Sequence, residues 1–164
     1  KIMTNGKHQT LETIGVNTLK ERGWHIAFAE SCTGGLAVAR LVGVPDASYV
    51  LDASVVTYAN EAKISYLGVS SESIEKHGVV SESVAAEMAE GVAQNNHAEI
   101  GVGISGIAGP GGGTVSKPVG MVCFGFYVNG KVYTDTQYFG NPGRNQVREA
   151  SVEFVYQTLV QLLS

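Results

Sequence analysis

The chain has 164 residues, 44% hydrophobic and 16% charged, with 11 Lys plus Arg against 15 Asp plus Glu and a formal charge of −4. That length predicts one compact domain over 1–164 with a core hiding roughly 70% of the unfolded surface. The composition excludes a disordered chain, no apolar run approaches the roughly 18 residues of a membrane span, and the acidic balance argues against nucleic-acid binding. Two cysteines, Cys32 and Cys123, are too few for a disulfide scaffold and lack zinc spacing, so reduced thiols in a cytoplasmic protein are expected. The opening KIMTNGKHQT shows no secretory signal.

From Thr10 to Arg22 the apolar spacing, closed by Gly23, predicts an amphipathic helix. WHIAFAE (24–30) predicts a buried strand running straight into Ser31-Cys32-Thr33-Gly34-Gly35, after which LAVARLVGV reads as a helix that Pro45 stops. YVLDASVVTY (49–58) predicts a second strand, and ANEAKISYLG a short helix ended by Gly68. Serines announce two more helices, at Ser70 and at Ser81, the second placing Val84, Met88 and Val92 on one face. EIGVGIS (99–105) is a third apolar strand that opens into a glycine-rich loop from Gly106 to Gly113, closed by Lys117-Pro118. Asn129-Gly130 joins two further strands as a tight hairpin, and a helix from about Asn145 to Leu163 ends the chain. Helices interleaved with strands and then a hairpin predict an α/β fold, a mixed sheet with helices on both faces.

Of the 21 glycines, many fall in the two loops that follow buried strands. Ser31 stands where a strand gives way to a helix, and the N–H groups of such a start can hold a phosphate or an oxyanion; an N-cap would look the same. Neither GxGxxG nor GxxxxGK[ST] occurs. Lys63, five residues after Tyr58, lies across a strand-to-helix junction, where a desolvated amine can accept a proton, although a solvated surface lysine has the same spacing. Ser105, Gly106 and Gly109 begin the second loop, where backbone can approach a ligand closely. Arg144 and Arg148 are four apart at the start of the last helix. The four histidines are scattered without metal-ligand spacing, so no metal is expected.

AESCTGG (29–35), VVTYANEAK (55–63), LGVSSESIEKHGVVSESVAAEMAEG (67–91), SGIAGPGGG (105–113), KPVG (117–120) and GRNQVRE (143–149) occur in this order. Together they closely resemble the C-terminal domain of the competence-damage-inducible protein family, whose active members are nicotinamide-nucleotide amidohydrolases. The resemblance runs from about Leu11 to the end and implies a three-layer α/β/α sandwich that commonly dimerises, without an N-terminal nucleotide-processing domain. It implies hydrolysis of the carboxamide of nicotinamide mononucleotide (NMN), giving nicotinate mononucleotide and ammonia with no cofactor. Its serine falls on Ser31, its lysine on Lys63 and its tyrosine on Tyr58. On this expectation Ser31 attacks, Lys63 moves protons, and Tyr58 hydrogen-bonds within the relay, with N–H groups near Thr33, Gly34 and Gly35 on the oxyanion.

Glu30 would orient Lys63, face the pyridinium, or be a buried paired carboxylate. Arg144, Arg148 or the loop from Gly106 to Gly113 would meet the phosphate. Ser105 stands where many relatives carry Thr, and Ala53 and Ser54 where relatives often have glycine. The competing expectation, from another class, is a catalytically silent nucleotide-binding module of the same fold.

Overall fold

The computed structural model describes residues 2–4 and 7–164. The reading of the first ten residues rests partly on residues 1, 5 and 6, which lie outside the described residues. A short antiparallel pair, β1 (Ile2–Thr4) and β2 (Lys7–Gln9), precedes helix α1 (Leu11–Arg22). Thr10 caps α1 by accepting from the Thr13 N–H, and left-handed Gly23 closes it. Then follow β3 (Ile26–Glu30), α2 (Leu36–Val42), the two-residue β4 (Val55–Val56), α3 (Asn60–Leu67), α4 (Ser71–His77) and α5 (Glu82–Asn95). Strand β5 (Ile100–Gly106), the hairpin of β6 (Met121–Val128) and β7 (Lys131–Tyr138), and α6 (Arg144–Leu163) complete the chain.

The five-stranded sheet has the order β4-β3-β5-β6-β7, parallel through β4, β3 and β5 and antiparallel beyond. Asn129 and Gly130, both at positive φ, form the predicted hairpin turn. Alternation along the strands divides the core. Ile26, Phe28, Ile100, Val102, Ile104, Val122 and Phe124 meet α1, α2 and α6 on one face, while Ala27 and Ala29 meet Val84, Met88 and Val92 of α5 on the other. The result is the three-layer α/β/α sandwich with a mixed sheet.

Segment 49–58 departs from the predicted continuous strand. Tyr49 ends a single 3-10 turn, Leu51 makes one isolated bridge to Ile26, and ladder pairing returns only at Val55–Val56. Between them the Phe28 N–H donates to the Ser54 hydroxyl at 2.9 Å, so a side chain takes the place of a ladder carbonyl.

Helix α5 sits in a trough of small residues. Ala29 pairs with Gly103 and Gly103 with Gly125 across three strands, and a Cβ on Gly103 would lie 2.3 Å from the Ala85 carbonyl oxygen. A side chain there would push the helix off the sheet. Gly103→Ala is therefore expected to cost about 2–3 kcal/mol, read as a lower urea midpoint at unchanged slope.

Candidate functional site

The connections from β3 explain where a crevice opens. β4 lies on one side of β3 and β5 on the other, so the chain leaves the carboxyl ends of these parallel strands in diverging directions, the arrangement that makes binding clefts in open α/β sheets. A pocket of about 420 Å³ occupies that position. Ser31 and Cys32 follow β3, Tyr58 follows β4, Asn60 and Lys63 come from α3, and Ser105 and Gly106 end β5. The glycine loop, including Gly109, forms a further wall, with Val79–Val80 and Lys117 facing in, and Arg144 stands at the start of α6.

Lys63 is 1% exposed. Its Nζ donates to the carbonyls of Thr57 at 2.6 Å and Tyr58 at 3.3 Å and lies 3.1 Å from Ser31 Oγ. Among the described residues it has no carboxylate partner, and burial holds its pKa below the usual lysine value. On losing a proton, an amine in this cage would keep two N–H groups for the carbonyls and have its lone pair for the Ser31 hydroxyl. Cys32, beside the serine, is pushed up to about 11 by burial and stays a neutral thiol.

Several expectations are corrected here. Ser31 does not cap α2, whose N-cap is Gly35 without a side-chain bond. The helix start is satisfied instead by Glu30, a fully buried carboxylate that accepts from the Thr33 hydroxyl at 2.6 Å and from the N–H groups of Gly35, Ala37 and Val38 at 3.0–3.2 Å. Glu30 therefore neither contacts Lys63 nor lines the pocket. Gly34 donates its N–H to the Ser31 carbonyl and Gly35 to Glu30, so neither is free for an oxyanion. Among the described residues, the N–H groups here without a protein acceptor are those of Ser31, Cys32 and Thr33.

Tyr58 is 63% exposed, and its hydroxyl meets Arg144 rather than the Ser31–Lys63 pair. Arg144 donates from Nη2 to the Tyr58 hydroxyl at 3.1 Å and from Nη1 to the Gly109 carbonyl at 2.6 Å, joining two lips of the pocket. Arg148 lies outside the lining. It donates to the carbonyls of Cys32 at 2.9 Å and Thr33 at 3.2 Å. The Ser105 hydroxyl donates to the Val79 carbonyl at 2.8 Å and steadies the opposite wall.

The sequence marks Lys117 only as the end of a loop. Its ammonium donates to the carbonyls of His77 and, at 2.7 Å, Val80, clipping the glycine loop to that wall. A lysine inside a glycine-rich loop with no acidic neighbour was the available signal. Arg144 and Lys117 therefore bring charge to a pocket whose lining contains no Asp or Glu, and both are bonded to neutral acceptors. Among the described residues no cluster of three or more His, Cys, Asp or Glu is placed to hold a metal ion, and no helix is long and apolar enough to cross a membrane.

The α/β/α sandwich thus sets a serine against a buried lysine at the carboxyl ends of its parallel strands. The comparisons place it further: the family model of the CinA C-terminal domain matches residues 8–163, and the chain belongs to that family. A CinA-like protein of Kosmotoga olearia is 44% identical over 158 residues, covering 94% of this chain and 38% of its own length. A putative competence-damage inducible protein of Clostridium botulinum (strain Langeland) is 45% identical over 144 residues, 87% of this chain and 35% of its own. The chain thus spans little more than a third of these curated relatives. Among solved structures, a CinA superfamily protein from Klebsiella pneumoniae superposes with a TM-score of 0.89 at 36% identity, covering 93% of this chain and 95% of that one. The competence/damage inducible protein CihA from Agrobacterium tumefaciens does so at 0.90 and 35%, covering 99% and 100%.

Proposed function

We propose that the protein hydrolyses the carboxamide of NMN to nicotinate mononucleotide and ammonia. The observation that carries this reading is the 3.1 Å approach of Lys63 Nζ to Ser31 Oγ inside a pocket with cationic walls. Neutral Lys63 takes the hydroxyl proton as Ser31 Oγ attacks the carboxamide carbon. The N–H groups of Cys32 and Thr33 receive the oxyanion. The lysine ammonium returns its proton to the amide nitrogen, the C–N bond breaks, and ammonia leaves an ester on Ser31. Water, deprotonated by Lys63, then cleaves the ester and restores both side chains.

Arg144 is the preferred phosphate partner, because its fork can grip two oxygens at the pocket rim. The exposed Tyr58 ring beside it offers an aromatic face to the pyridinium cation. Arg144→Gln is expected to raise the KM for NMN about 10–100-fold, the worth of a lost charge-assisted contact, with kcat within a few-fold. Nicotinamide riboside, which lacks the phosphate, should show little response to the same change. Ammonia release from NMN, nicotinamide and glutamine in parallel tests the substrate assignment: release confined to NMN supports it, and faster release from glutamine sinks it. A folded protein that binds NMN without turnover is a binding module instead.

A further inference from the structure

The turn that carries Ser31 is held from two sides by opposite charges. Its donors run to Glu30: the Thr33 hydroxyl and the N–H groups of Gly35, Ala37 and Val38. Its acceptors run to Arg148, which donates from Nε to the Cys32 carbonyl and from Nη2 to the Thr33 carbonyl. The two charges do not pair with each other, and Arg148 forms no ion pair with any described carboxylate. Its third contact, from Nη1 to the Asn145 side chain at 3.0 Å, fixes the guanidinium on the first two turns of α6.

This grip has a geometric consequence. A peptide's C=O and N–H point in opposite directions within one plane. Holding the Cys32 carbonyl therefore fixes the direction of the Thr33 N–H, one of the two donors beside Ser31 that remain free. Left-handed Gly34 and Gly35 follow immediately, so the turn has conformational freedom that something outside it must remove. A Cβ on Gly34 would lie 3.3 Å from Arg148 Nη2, which shows how closely the guanidinium is seated against the turn.

We infer that Arg148 is a positioning residue for the nucleophile, setting the Ser31 hydroxyl against Lys63 and aiming the free N–H groups of the turn, with Glu30 as its counterpart. It acts through the turn and takes no part in gripping the phosphate, which separates it from Arg144. The inference rests on the serine acting as nucleophile in the proposed reaction.

The test is Arg148→Met and Arg148→Lys, with NMN kinetics, thermal unfolding and, independently of NMN, the rate at which a fluorophosphonate probe labels Ser31. The expected result for Arg148→Met is a kcat at least tenfold lower at a KM within about twofold, and labelling slowed to match. Arg148→Lys, which keeps one donor and the charge, should recover part of both. A raised KM at unchanged kcat would make Arg148 a substrate-binding cation and overturn the inference. Equal labelling of wild type and Arg148→Met, at any rate including none, overturns it too. Should wild type release no ammonia from NMN, the proposed substrate fails, and the labelling ratio alone decides the role of Arg148. An Arg148→Met chain that does not fold leaves Arg148→Lys as the deciding variant, with full wild-type kcat and labelling counting against the inference.

Discussion

Ser31→Ala is expected to lower kcat for NMN hydrolysis by about 10³-fold or more, as loss of a covalent nucleophile does, while leaving the fold and NMN affinity in place. The reason is local. The Ser31 side chain contacts Lys63, whereas the turn around it is held by the Glu30 carboxylate, the Arg148 guanidinium and the bond from the Gly34 N–H to the Ser31 carbonyl. Alanine removes the nucleophile and none of these supports. Ammonia release gives the rate, and calorimetric titration with NMN gives the affinity. A variant that unfolds, or that keeps turning over, contradicts the assignment.

Lys63→Met should lower kcat by about 10²–10⁴-fold, the usual range for loss of a general base. The sharper signature is the pH profile. Burial places the folded-state pKa of Lys63 below its ordinary 10.5, and the base is the neutral form, so wild-type kcat/KM should rise with pH through that lowered pKa and fall as pH drops through it. The residual activity of Lys63→Met should lack that limb. Linkage gives a second check of the same sign. Between the lowered folded pKa and the higher unfolded one, the unfolded chain binds more protons, so stability rises with pH across the window. Lys63→Met should abolish that contribution to the slope.

Much of the framework was legible because local rules and the fold agree. Thr10 and Gly23 bracket α1, Ser70 and Ser81 cap the two helices they announce, and Asn129-Gly130 makes the hairpin. The strand read over 49–58 failed because it lies at the sheet edge, where Ser54 substitutes its hydroxyl for a ladder carbonyl and β-branched composition alone cannot reveal the break. At the site, Ser31 and Lys63 stand out by residue type, junction position and resemblance, and the fold brings them into contact. The partners of Glu30, Tyr58 and Arg148 were not readable. Those of Tyr58 and Arg148 depend on a long-range approach, α6 reaching back by 116 residues to Cys32 and Arg144 by 86 to Tyr58, whereas the partners of Glu30 lie 3 to 8 residues on and depend on how the turn after β3 folds back. The glycine loop was singled out by composition, but the task of Lys117 depends on the same kind of distant contact, 37 residues back to Val80.

The measurement that bears most directly on the Ser31–Lys63 site is ammonia and nicotinate mononucleotide released from NMN by purified wild type, with Ser31→Ala and Lys63→Met alongside. Under the Ser31–Lys63 mechanism, wild type forms the two products in equimolar amounts, each variant loses at least 99% of the rate, and the wild-type rate rises with pH through the Lys63 ionisation. Wild-type turnover that persists in either variant, or a folded wild type that binds NMN and releases nothing, would contradict it.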